Sequence, residues 1–437
     1  MSNPFIHPAR NRSPQHVAVR VMPPPTLVAI PLRQHIGAPC LPLVEAGGRV
    51  LMHQRIGGVP PGALGACVHA SVSGVVQSIK PFRLTSGLTC DCVVIENDFL
   101  DEKAPCDWST GEADALTPAQ IIEAAVGAGL VGMGGAAFPA AIKLSPKSPV
   151  DTLILNGAEC EPYLSCDNRL MLEEAELILR GTKAAMRTLG ANTCLVAIEK
   201  NKPKAIAAMR EAANGSNIDV RPLPARYPQG SEKQLIDTLL HRRVPLGKLP
   251  ADIGVVVFNV GTMAALARAL SGVPCTERIL TVAGDAIAAP CNLLVRTGTS
   301  LADVFETAGG FTTDPGKLIA GGPMMGVAQP DLSAPVMKST SGLLAFSPKT
   351  AALPEPTACI RCGLCTRQCP MGLRPGTLAD AWQAHDQEAL ARLQAKACIE
   401  CGNCSYICPA RRPLVQAIRM AKAVSVAESI PAAKQRP

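Results

Sequence analysis

The sequence predicts a multi-domain α/β chain that opens with a β-rich module and closes with a cysteine-rich helical one. Three observations predict this. Short apolar runs separated by glycine turns fill residues 26–96, apolar strands alternate with amphipathic helical stretches from about 117 to 270, and eight of the 18 cysteines fall between Cys359 and Cys408. A length of 437 residues corresponds to about three folding units of roughly 150 residues each. The 47% hydrophobic content excludes a largely disordered chain. Aromatic residues supply only 3% and the net charge is a modest +7, so no nucleic-acid partner is expected. The start, Met-Ser-Asn-Pro, has no basic-then-apolar leader, which predicts no export signal. The apolar run 253–267 is interrupted by Gly254, Asn259 and Gly261 and falls short of the roughly 18–20 residues a membrane span needs.

In the first module the runs L-V-A-I-P-L, V-E-A-G-G-R-V-L, V-H-A-S-V-S-G-V-V-Q-S-I and C-V-V-I-E predict a small β-barrel within residues 15–100. Cys90 and Cys92, two apart, share one face of a strand, which predicts a buried pair. All ten cysteines outside the tail, Cys160 among them, lack ligand spacing and read as small hydrophobes.

The second module, 115–272, starts at Thr117-Pro118, an N-cap followed by proline at the first helical position, with Ile121, Ile122 and Val126 as the apolar stripe. The helix stops in G-A-G-L-V-G-M-G-G-A-A-F-P. The glycines at 127, 129, 132, 134 and 135 let backbone amides approach a bulky anion, and Lys143 adds a positive charge. No Gly-Lys-Ser/Thr follows, so this is not a P-loop, and it opens after a helix, which fits the dinucleotide fingerprint poorly. Strands are expected at 153–155, 195–198 and 255–258, with helices at 169–189, 204–213, 231–240 and 263–270. Ligands in such sheets lie beyond the carboxyl ends of the strands. There stand Asn156, Glu159 and Glu161 in N-G-A-E-C-E-P, and Asn259 and Thr262 in N-V-G-T. Tyr227 and Gly230, in Y-P-Q-G-S-E, precede a helix N-terminus that starts near Glu232. Three polar clusters beside a glycine loop predict a cofactor site.

The tail module, 355–422, holds C-I-R-C-G-L-C-T-R-Q-C-P and C-I-E-C-G-N-C-S-Y-I-C-P, each ligand of the second run lying 39 residues after its counterpart. This is a duplicated C-x2-C-x2-C-x3-C-P pattern, the spacing that holds cubane [4Fe–4S] clusters, in which the fourth cysteine serves the other cluster. It assigns Cys359, Cys362, Cys365 and Cys408 to one cluster, and Cys398, Cys401, Cys404 and Cys369 to the other. Zinc would use four ligands, usually as two separated pairs, and gives no reason for two identical runs. A helix is expected over 375–396. Arg411, Arg412, Arg419 and Lys422 fit either a solvated helix face or a contact with an acidic partner or anionic lipid. Residues 423–437 read as a loose tail.

G-L-V-G-M-G-G-A-A-F-P-A-A-I-K-L, L-N-G-A-E-C-E-P, Y-P-Q-G-S-E-K-Q-L and F-N-V-G-T resemble two related families. One is the flavin-bearing, NADH-binding subunit of respiratory complex I; the other, more similar, is RnfC, a component of the Rnf (Rsx) electron-transport complex. P-L-R-Q-H-I-G-A-P-C at 31–40, G-G-P-M-M-G at 321–326, K-S-T-S-G at 338–342 and the doubled cysteine module all recur in the Rnf family, and the likeness runs from about residue 15 to about 422. The complex I protein has only a single four-cysteine site. The resemblance implies an N-terminal barrel-sandwich (lipoyl-like) β domain and a complex I flavoprotein-like α/β FMN domain. A β-grasp (SLBB-like) module over 273–350 and a double [4Fe–4S] ferredoxin-like module follow.

The resemblance further implies noncovalent FMN held by Gly132, Gly134, Gly135 and Lys143, with Asn156, Glu159, Tyr227, Gly230, Asn259 and Thr262 around it. It places Glu161 and Glu232 beside the nicotinamide of NAD(H), and Gly321, Gly322 and Met324 against the flavin. Ala137, where relatives have glycine, adds a methyl near the expected flavin path; Ser231 and Ala158 replace acidic residues of relatives. The activity implied is that of a peripheral NADH-oxidising, NAD-reducing subunit of an ion-translocating ferredoxin:NAD oxidoreductase at the cytoplasmic face of the bacterial inner membrane. Its implied partners are the RnfB iron–sulfur protein and the membrane subunits, with ferredoxin or flavodoxin reached indirectly. A cobalamin reductase-type flavin/iron–sulfur protein is the alternative, against which the barrel at 26–96 argues.

Overall fold

The computed structural model describes residues 13–427. In the N-terminal module, strands Leu27–Pro31, Thr89–Asn97, Gly74–Arg83 and Arg49–Val50 form one antiparallel sheet in that order. Leu41–Pro42, Arg55–Gly58 and Val68–His69 form a second. Alternating residues turn inward, so Val28, Ile30, Ile56, Val68, Val93 and Ile95 are fully buried between the sheets. Cys90 and Cys92 are buried as expected, and burial pushes both thiols up. The short strand Val19–Val21 departs from its expected module. It pairs in parallel with Cys291–Arg296, on the edge of the third module's sheet.

The second module is a four-stranded parallel sheet in the order Ile218–Leu223, Thr193–Glu199, Thr152–Gly157, Val255–Asn259. Its central strands are apolar because helices cover both faces. The strand Ile218–Leu223 is an addition to the expected set. Pro222 breaks its pattern, and the strand survives because it lies at the sheet edge, where a missing N–H is tolerated. The single helix expected at 169–189 is two, Cys166–Glu173 and Ala175–Leu189, broken at Glu174 (φ −135°), whose carboxylate takes Arg268 at 2.5 Å.

The third module sets helix Leu301–Thr307 against a six-stranded sheet that includes Glu277–Ala283 and Gly342–Phe346 at its centre. Lys338, only 1% exposed, clasps three modules: its Nζ donates to the Cys67 carbonyl (2.8 Å) and the Gly129 carbonyl (2.7 Å). In the tail, the expected helix over 375–396 is Pro375–Gln383, Gln387–Arg392 and the 3-10 turn Ala395–Ala397. The breaks fall where His385 and Gln394 take positive φ (55° and 58°). The last helix, Leu414–Ala427, continues into the segment expected to be loose, and 428–437 lie outside the described residues. No helix among the described residues is long and apolar enough to cross a membrane.

Candidate redox site

At the carboxyl ends of strands Thr152–Gly157 and Val255–Asn259, the glycine loop and the Y-P-Q-G-S-E turn enclose a cavity of about 330 Å³, within the range typical of ligand pockets. Gly132, Gly134, Lys143, Asn156, Glu159 and Glu161 line it, as do Tyr227, Gly230, Glu232, Asn259 and Thr262. Gly135 does not. Its φ of 111° turns the loop, and a side chain there would meet nothing within 4 Å. Ala137 is also not among the lining residues, and its carbonyl accepts the Ile36 amide (3.0 Å), tying the loop to the barrel. The G-G-P-M-M-G loop reaches the wall through Met325, not through Gly321, Gly322 or Met324.

The wall is locked by short polar contacts. Gly132 N–H donates to the Phe138 carbonyl (2.8 Å), closing the glycine loop, and Met133 N–H donates to Thr262 Oγ1 (3.0 Å). Asn259 caps the helix Val260–Leu270 by accepting from Gly261 N–H (2.8 Å), and its amide donates to Asp167 (2.7 Å). Asn156 accepts from Ala158 N–H (3.0 Å) and donates to the Gly230 carbonyl (2.8 Å), joining two loops. These loops approach so closely that a Cβ at Gly230 would lie 2.4 Å from the Ala158 carbonyl oxygen. Lys143 Nζ is held by Glu232 (2.6 Å) and the Val257 carbonyl (3.0 Å).

Four carboxyl groups stand in this wall: Glu232, already paired with Lys143, and Glu159, Asp167 and Glu161. Glu159 accepts from the amides of Asp167 (3.0 Å) and Asn168 (3.4 Å) at a helix N-terminus; burial raises its pKa. Burial, then the charge of Glu159, pushes Asp167 up to about 7. Glu161 accepts from the amides of Met324 (3.0 Å) and Met325 (2.9 Å), and burial pushes it up to about 7. Close-approaching backbone and a lysine cation suit a phosphate, while buried carboxyls and side-chain amides suit a chain of hydroxyls; this donor set fits FMN.

Several lining residues escaped the sequence reading, Cys160, Cys166 and Asp167 among them. Cys160, read as a small hydrophobe, lines the cavity, and its Sγ accepts from Gly230 N–H at 3.4 Å. Asp167 also faces the cavity, and its only sequence signal is its place in the first turn after the acidic loop.

The tail brings the eight cysteines together in the crossed grouping. Cys369, Cys398, Cys401 and Cys404 line one small cavity; Cys359, Cys362, Cys365 and Cys408 line another. The duplicated loops share their backbone, with positive φ at Arg361 (56°) and Gly363 (72°) and again at Glu400 (58°) and Gly402 (79°). These turns aim amides at sulfur: Arg361 N–H at Cys359 (3.4 Å), Glu400 N–H at Cys398 (3.3 Å) and Leu373 N–H at Cys369 (3.3 Å). Burial pushes the Cys401 and Cys404 thiols up to about 12, so thiolates there need the positive charge that iron supplies. Among the described residues, no group of three or more His, Cys, Asp or Glu is spaced for a single metal ion. Four sulfurs around each space, with amides turned onto them, fit a cubane cluster.

The two cysteine groups differ in position. Cys401 and Ile399 form part of the wall of the first cavity, and the buried Tyr227 hydroxyl donates to the Cys401 carbonyl at 2.7 Å. The other group opens outward, with Cys359 and Cys362 exposed.

Family profiles match the chain in the order of these modules. They are the RnfC barrel sandwich hybrid domain (residues 5–100), the Nuo51 FMN-binding domain (126–268), the SLBB domain (279–328) and the 4Fe-4S dicluster domain (352–409). The C component of the Na(+)-translocating ferredoxin:NAD(+) oxidoreductase complex of Acetobacterium woodii is 44% identical over 428 residues, covering 97% of this chain and 96% of that one. The chain belongs to the RnfC family.

Other members agree. The C component of the proton-translocating complex of Clostridium ljungdahlii is 44% identical over 408 residues (92% and 89% of the two chains), and that of the ion-translocating complex of Rhodobacter capsulatus is 42% identical over 425 (95% and 82%). Among solved structures, a chain of an NAD+-reducing [NiFe]-hydrogenase in the H2-reduced state superposes with a TM-score of 0.50 at 21% identity, covering 71% of this chain and 61% of that one, a likeness of fold. The expected fold class stands, and the RnfC barrel domain weighs against the cobalamin reductase alternative.

Proposed function

We propose that this RnfC-family chain is the NAD(H)-reacting subunit of an ion-translocating ferredoxin:NAD+ oxidoreductase. It carries noncovalent FMN and two [4Fe–4S] clusters and exchanges electrons with partner subunits. One observation carries the reading: the cavity that fits FMN shares a wall with one of the two four-cysteine groups. When bound, FMN couples the two-electron chemistry of NAD(H) to the one-electron chemistry of the clusters.

The chain's own residues do the positioning. Gly132 closes the loop with its amide, and the backbone at Gly134, with Lys143, takes the phosphate; Asn156, Glu159, Asn259 and Thr262 fix the flavin; and Gly230 leaves room for it. Glu161 and Glu232 face the nicotinamide. Tyr227, 0% exposed, keeps water from the partition between cavity and cysteines. Gly135, off the wall, has no contact role. Cys369, Cys398, Cys401 and Cys404 hold the inner cluster, and Cys359, Cys362, Cys365 and Cys408 the outer one, which meets the partner. The chain sits at the cytoplasmic face of the inner membrane, held by the RnfB iron–sulfur protein and the membrane subunits. Those membrane subunits move the ion, and ferredoxin or flavodoxin is reached through them.

The test is anaerobic addition of NADH to purified protein, followed optically and by EPR. The expected result is a bleached flavin band, two reduced cluster signals and about eight irons per chain. An unbleached flavin band refutes the assignment.

A further inference from the structure

The outer cysteine loop and the segments flanking it carry four arginines close to its ligands in sequence. Arg361 lies between Cys359 and Cys362, and Arg367 donates to the Cys362 carbonyl at 3.1 Å. Arg374 precedes Gly376, whose Cβ position lies 3.6 Å from Cys365 Sγ. Arg411 donates its amide to the Cys408 carbonyl at 3.1 Å. All four are exposed; the acids along 352–380 are Glu355 and Asp380, the latter paired with Arg412 at 2.6 Å. Beside Cys359 and Cys362, Ile360 is 68% exposed.

The duplication supplies an internal control. Thirty-nine residues on, the positions of Arg361, Arg367 and Arg374 are Glu400, Tyr406 and Pro413. Glu400 is moreover held by Arg419 and Lys422. Fold and ligand spacing are common to both loops, so neither demands arginine. The positive charge belongs to the loop that faces outward.

We infer that this arginine collar, centred on the exposed Cys359–Cys362 edge and Ile360, is the docking surface for an acidic face of a partner subunit that holds its own one-electron centre. The inference rests on the cluster assignment of the proposed function and adds the chemistry of the partner. Opposite charge speeds encounter and sets orientation, and the apolar centre excludes water where the two redox centres approach. Anionic lipid would match the charge but would place an insulating layer over the point where electrons leave.

The experiment measures association of the full-length holoprotein with the remaining subunits of its complex, at low and high salt. The triple variant Arg361→Glu, Arg367→Glu, Arg374→Glu should associate about tenfold more slowly or worse at low salt and lose the salt dependence. The triple Arg→Lys variant should stay within about twofold of the parent. Parent-like association of the Glu variant overturns the inference, as does equal loss in the Lys variant. Binding of the parent to phosphatidylglycerol vesicles that the Glu variant loses, with association to the other subunits intact, overturns it in favour of lipid. Iron content is measured on every variant. If the Glu triple loses iron, Arg411→Glu, outside the C-x-x-C-x-x-C run, decides by the same criteria. Failure of NADH to bleach the parent would sink the functional reading and leave the association result standing by itself.

Discussion

Tyr227→Phe tests the partition between the cavity and the inner cysteine group. The ring stays, so its packing with Cys160, Met324 and Ile399 is kept; one oxygen is removed from a residue that is 0% exposed. The Cys401 carbonyl then loses its 2.7 Å donor. A buried acceptor left without a donor costs about 1–3 kcal/mol, which is roughly five- to 140-fold in the population of an opened loop. That cost falls on the loop bearing Cys398, Cys401 and Cys404. With an iron chelator under anaerobic conditions, the inner-cluster EPR signal should decay about fivefold faster or more, the outer signal at the parent rate, and the KM for NADH should not move. Decay of both clusters at parent rates, or loss of the outer one first, would refute the reasoning.

Cys359→Ala and Cys398→Ala should each lower iron from about eight to about four per chain. The first should leave NADH reduction of the remaining cluster intact, while the second should stop electrons reaching the outer one; the opposite pattern reverses the proposed order. Gly230→Ala sets a methyl 2.4 Å from the Ala158 carbonyl oxygen. The overpacking cost of about 1–3 kcal/mol should weaken FMN binding about fivefold or more, measured by flavin fluorescence, with unchanged circular dichroism. Glu161 gives a pH prediction. Its carboxyl sits near 7 in the folded chain against 4.5 in the unfolded one, so the folded state keeps the proton longer. Below pH 4.5 both states hold it; as pH rises toward 7 a penalty grows to about 3 kcal/mol. Urea midpoints of the apoprotein should therefore fall with pH across that window, and Glu161→Gln should flatten the slope; an unaltered slope counts against it.

The cluster cysteines were legible because their spacing is a local property, and the duplication repeats it. Asn156, Glu159, Tyr227 and Asn259 were legible because each lies at or just beyond a strand end or in the turn before a helix, and such ends converge in an α/β sheet. Cys160 and Asp167 were not, since nothing in a one-dimensional pattern separates a thiol facing a cavity from one filling a core. The edge strand Ile218–Leu223 was hidden by Pro222, and the break at Glu174 by an ion pair with Arg268, 94 residues away in sequence. The tail helix over-read at 375–396 has a related cause, for the apolar stripe continues through turns whose positive φ it does not reveal.

The parallel pairing of Val19–Val21 with Cys291–Arg296 bears on how the chain is born. Asn292, in that partner strand, also binds the Val17 carbonyl, a contact spanning 275 positions. On the ribosome, at roughly 5–20 residues per second, the leading end waits on the order of 15 to 55 seconds for its mate to emerge. The barrel can complete itself in that interval, but its flanking ribbon remains an open edge that a chaperone, or another nascent copy, is free to engage.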